Sequence, residues 1–149
     1  MTKPPSDQAG IAGAEPCGLP RRLAIMLYDS LAVLALLILA TALAMLAGFG
    51  QVTAFEDPGF TLYLVLVWFS YLAWCWSRGG MTVGMRAWRV VIRGADGTPP
   101  GWGQALVRFL VSLLSAAVFG LGFAWCLFRR DRQTWHDLAS RTRLLRLPK

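Results

Sequence analysis

Three apolar runs, at 23–49, 60–76 and 106–128, limit what this chain can fold into, because each is rich in Leu, Ala, Val and Phe and nearly free of charge. Each is close to the roughly 20 residues that a helix needs to cross a hydrocarbon core, a length rarely kept uncharged in the core of a soluble domain. The chain is 56% hydrophobic and carries seven Trp, more than a soluble domain of 149 residues usually holds. The expected fold class is an all-α membrane protein.

The first two runs read as transmembrane helices. Between them lies "GQVTAFEDPG", a loop punctuated by Pro58 and Gly59 whose only charges are Glu56 and Asp57. Arg21 and Arg22 precede the first run, and Arg78, Arg86, Arg89 and Arg93 follow the second. The positive-inside bias therefore places the amino terminus and the basic stretch in the cytoplasm, and the loop outside. The third run conflicts with a plain crossing, which would export Arg129, Arg130, Arg132, Arg141, Arg143, Arg146 and Lys149. Its "FGLGF", with Gly120 and Gly122, offers a break, so a re-entrant hairpin is favoured over a straight span. A bend at membrane depth requires its backbone to be shielded by protein or water.

Residues 1–19, rich in Pro, Gly and Ala, read as a disordered cytoplasmic tail, and 20–149 as the membrane domain. The first run is too long for the apolar stretch of a cleavable signal. Cys17, Cys75 and Cys126 have no motif spacing and imply neither a disulfide framework nor a metal site. After the second run, "WRVVI" followed by the turn signal "ADGTPP" predicts a short strand. A lone strand is unstable. Residues near Trp88 to Ile92 are therefore expected to pair with residues near Thr142 to Leu147, forming a two-stranded element in a small cytoplasmic cap.

With these stretches in view, the chain resembles the RDD family of bacterial integral membrane proteins, named for one arginine and two aspartates. Arg22 and Asp29 in "RRLAIMLYD" correspond to the first two, and Asp137 in "RQTWHDLASRTRLL" to the third. "WSRGGMTVGMRAWRVVIRGADGTPP" and "ALVRFLVSLLSAAVFGLGFAWCLF" look like the family's basic middle and last apolar segment, so the resemblance covers about residues 18–148. Met81 stands where the family more often has Gln, and Ser140 where it often has Gly. The resemblance implies a bacterial inner-membrane protein of largely unsettled function, for which transport has been suggested.

Asp29 lies about 10 Å deeper along its helix than Arg22, at 1.5 Å per residue. An ionised carboxylate there costs about 2.5 to 3.5 kcal/mol on insertion scales, so something must offset it. Arg108, a few residues into the third run, is the expected partner. Gln104, Arg108, Ser112 and Ser115 recur on one helical stripe, which is expected to face Asp29. Two readings follow. The Asp/Arg cluster takes part in transport of ions or small solutes, or it is an assembly latch in a non-catalytic scaffold or accessory subunit.

His136 beside Asp137 does not make a catalytic site, because no nucleophile or ligand cluster accompanies the pair. Asp137 is expected to cap a short tail helix and to pair with an arginine of the basic loop, with Trp135 and His136 at the bilayer surface. No enzyme, cofactor or metal is expected. The net charge of +7 sits beside apolar runs, which points to anionic lipid at the cytoplasmic face and away from nucleic acid. Two or three spans enclose little, so a homo-oligomer or a partner membrane subunit is expected.

Overall fold

The computed structural model describes residues 13–48, 56–118, 120–128 and 130–148. Two helices are long and apolar enough to cross a membrane: α1 (Leu19–Leu46) and α2 (Pro58–Gly79). Pro20 lies in the first turn of α1, where its missing N–H is no loss. Asp57 caps α2 by accepting from the Gly59 and Phe60 N–H groups. The Tyr63 hydroxyl donates to the Ala40 carbonyl at 3.3 Å, fixing the height at which the two helices meet. The expected outer loop falls largely outside the described residues.

At the other end α2 stops at Gly80, whose φ of 68° is the left-handed conformation glycine supplies. A Cβ there would come within 2.6 Å of the Ile92 carbonyl, so the close approach also requires glycine. Next come a one-turn helix, α3 (Val83–Ala87), and a fully buried strand (Val90–Gly94). That strand runs antiparallel to a later one (Thr142–Arg146), with Val90 opposite Arg146 and Gly94 opposite Thr142. The paired stretches overlap those expected from the sequence, but the first strand starts about two residues later and the element is not two-stranded. A third strand, Glu15–Pro16, joins the free edge of Thr142–Arg146. In chain order the strands are β1 (Glu15–Pro16), β2 (Val90–Gly94) and β3 (Thr142–Arg146), arranged β1-β3-β2.

The expectation of disorder through residue 19 therefore needs correction at its end, while residues 1–12 lie outside the described ones. Backbone pairing of β1 and burial of Cys17 hold this segment: the Cys17 N–H donates to the Leu144 carbonyl at 3.1 Å. Cys17, Ile25, Ala73, Trp76, Met85, Val90, Ile92, Ala105 and Leu144 form one core where the sheet meets the ends of α1 and α2.

The third apolar run is not one straight helix. It comprises α4 (Trp102–Ala117), α5 (Leu121–Ala124) and a 3-10 turn (Trp125–Leu127), and the limbs are bent by 108°. Gly120, at φ 76°, opens the second limb. Gly122 packs between α4 and the following short helix so closely that a Cβ would meet Ser115 Cβ at 2.8 Å and Trp135 at 2.9 Å. A final short helix, α6 (Trp135–Ala139), leads into β3.

Candidate functional site

Two polar centres lie at the base of α1. The first gathers on Asp137, whose residue is 0% exposed. Its Oδ2 lies 2.8 Å from Arg22 Nη2, and its Oδ1 accepts from Arg108 Nη1 at 2.5 Å. The Thr134 N–H also donates to Oδ2, at 3.2 Å, closing a capping box over α6. Arg22 donates through Nε to the Cys17 carbonyl and through Nη2 to the Arg132 carbonyl. Arg108 Nη1 reaches Thr142 Oγ1 as well, at 2.9 Å, and its guanidinium lies 5.4 Å from the Trp76 ring centre. Ser140 links Thr142 to the His136 carbonyl. One carboxylate thus ties α1 and α4 to α6, and Arg108 carries the network on to β3.

Burial alone would push the Asp137 carboxyl up, but the Arg108 and Arg22 guanidiniums outweigh it and hold the group well below the usual carboxylate range. Burial, reinforced by the Arg108 charge, holds His136 down at about 3. The imidazole is therefore neutral at pH 7. Its Nε2 lies 2.9 Å from Thr134 Oγ1, and its ring packs 4.9 Å from that of Phe123. The expected place of His136 at the bilayer surface is corrected accordingly: the residue is 4% exposed, because α5 folds over it.

The second centre is Asp29. Its Oδ2 accepts from the Thr82 hydroxyl at 2.5 Å and its Oδ1 from the Gly84 N–H at 2.8 Å. Thr82 in turn accepts from the Met85 N–H as the N-cap of α3. Asp29 thereby reinforces the start of a helix, where unpaired N–H groups favour negative charge. Among the described residues, no cation lies within ion-pair distance of it.

The expected Asp29–Arg108 pair is therefore not formed. Two neutral donors on α3 occupy Asp29, and the tail brings Asp137 to Arg108 instead. Asp137 does cap its helix, but its partners are Arg22 and Arg108, not an arginine of the basic loop. The stripe on α4 is split. Arg108 and Ser112 line the same cavity as Asp29, Ser115 is buried against Gly122, and Gln104 accepts from the Gly101 N–H at the helix start.

That cavity, of about 510 Å³, lies between α1, α2 and α4, with Arg22, Asp29, Arg108 and His136 among its polar residues. A model of the RDD family matches residues 16–141. The chain belongs to the RDD family. Neither the curated proteins nor the solved structures contain a match to this RDD protein. The three residues that carry its resemblance divide between the two centres: Arg22 and Asp137 meet, while Asp29, also on α1, is bound apart from them by the start of α3. Thr82 and Gly84 escaped sequence reasoning. A threonine followed by alanine five residues on and arginine two further occurs at both Thr82–Arg89 and Thr134–Arg141, a recurrence that could have exposed the first capping site.

Proposed function

We propose that this RDD protein is a non-catalytic component of the bacterial inner membrane in which the Arg22–Asp137–Arg108 triad is an assembly latch. The observation that carries this reading is the state of Asp137, which is fully buried with both carboxylate oxygens engaged by arginine. A carboxylate that loads and releases an ion must be reached by water and freed of its partners. Asp137 is suited to holding elements together, because leaving any member of the triad unpaired would strand a buried charge. The amino terminus and cap lie in the cytoplasm, and the third segment re-enters, a topology supported by the 108° bend and by the flanking arginines. Anionic lipid contacts the basic face, and the protein works as a homo-oligomer or beside a partner subunit.

Asp29 favours a second reading, transport of ions or small solutes. It lines the cavity and is held by neutral donors, with no ion pair among the described residues, and intramembrane acids commonly mark ion paths. Asp29→Asn and Asp137→Asn separate the two readings. The latch reading expects Asp137→Asn to unfold readily, and wild-type proteoliposomes to pass cations no faster than empty ones. Cation flux abolished by Asp29→Asn at unchanged thermal stability would decide for transport.

A further inference from the structure

The cavity beside the latch has a marked polarity. Its walls are apolar, with Val33 and Leu37 from α1, Trp68 and Leu72 from α2, and Leu113 and Ala116 from α4. Met26 and Leu34 also line it and are 42% and 56% exposed, so its mouth opens on the side of the long apolar helix α1. At one end stand Arg22, Arg108 and His136. Two guanidiniums there share the single carboxylate of Asp137, and His136 is neutral, leaving one uncompensated positive charge. The hydrogen bonds of Arg108 among the described residues all run through Nη1, which leaves Nε and Nη2 for another acceptor. Asp29, about 10 Å along α1 from Arg22, has its carboxyl oxygens taken up by Thr82 and Gly84 and forms no ion pair at this end. The volume falls within the range of small-molecule sites.

We infer that this cavity holds one anionic phospholipid of the bilayer, with its phosphate at the Arg108 end and a hydrocarbon chain along the wall of Val33, Leu72 and Leu113. The inference rests on the latch reading, since the latch keeps Arg108 in place. The excess cationic charge in an apolar surround supplies the attraction for the phosphate, and the apolar walls supply the place for the chain. A soluble anion would leave those walls without a partner.

The test is native mass spectrometry of the full chain released from nanodiscs containing phosphatidylglycerol or phosphatidylcholine. One retained phosphatidylglycerol is expected per chain, with phosphatidylcholine retained about fivefold less. Val33→Trp and Ala116→Phe, which fill the cavity from two sides, should each lower retention while keeping wild-type thermal stability. Two variants are used so that misfolding of one does not decide the matter. Equal retention of both lipids would overturn the inference, as would undiminished retention in the folded filled-cavity variants, which would place the lipid on the basic exterior. Displacement by millimolar inorganic phosphate would identify a soluble-anion site and equally overturn it. Unfolding of Asp137→Asn in the same preparation reports on the latch alone, so the two ideas can fail separately.

Discussion

Arg22 and Asp137, from opposite ends of the described chain, meet at 2.8 Å with side chains 5% and 0% exposed. Such a pair has little value for stability in itself, since both ions give up water to form it, but losing one partner leaves the other buried and unpaired. Asp137→Asn should therefore destabilise the protein by about 3 to 5 kcal/mol in detergent unfolding curves. Replacing the triad together, as Arg22→Met, Arg108→Met and Asp137→Leu, should lose less than Asp137→Leu alone. An additive or worse loss would show that the charges do more than compensate one another.

Asp29 gives the contrasting case. Asn at position 29 can still accept from the Gly84 N–H and can donate to Thr82 Oγ1, so Asp29→Asn should change stability by less than about 1 kcal/mol. Asp29→Leu leaves both groups unanswered and should cost about 1 to 3 kcal/mol. Gly84→Ala should be damaging for a steric reason, because its Cβ would lie 2.6 Å from the Ile25 carbonyl and 3.0 Å from Asp29 Oδ1. A loss of about 1 to 3 kcal/mol is expected, read as a lowered Tm.

Acid should weaken the cap in two stages. His136 binds its proton near 6.5 when unfolded but only near 3 when folded, so the unfolded state gains protons first and stability falls as pH drops from 6.5 towards 3. The lowered Asp137 carboxyl adds a second loss below its ordinary value of 3.8. Both contributions are fully present at pH 7. A series of Tm measurements from pH 7.5 to 3 should show the decline, and His136→Gln should flatten its upper part. A Tm that rose on acidification would contradict the buried, neutral imidazole.

Topology can be read from cysteine labelling in a chain whose Cys17, Cys75 and Cys126 are replaced by alanine. Ser140 is buried, so the exposed neighbour Ala139 is the better reporter for the cap. In intact cells an impermeant thiol reagent should label Thr53→Cys and spare Ala139→Cys. Labelling of both would mean that the third segment crosses.

The two long helices could be read from run length alone, and the β2–β3 pair from a β-branched stretch with only one available partner. The partners of the buried charges could not. Depth along the membrane put Arg108 beside Asp29, and the two do line one cavity, but the choice of ion pair depended on where a tail helix of five residues would dock. No periodicity marks Glu15–Pro16 as a strand, because two residues at a sheet edge need only backbone groups. Thr82 was obscure for a similar reason: a capping hydroxyl reveals its acceptor only when α3 is folded against α1.

Asp137 and β3 come after nearly everything they hold. During synthesis both arginines of the triad, and the strands on either side of β3, emerge before the segment 134–146 that answers them. Until then Arg22 and Arg108 have no carboxylate between them, and the edges of β1 and β2 have no neighbour. The last of these residues to leave the ribosome acts as a keystone. A nascent chain halted short of it would present stranded charge and open strand edges.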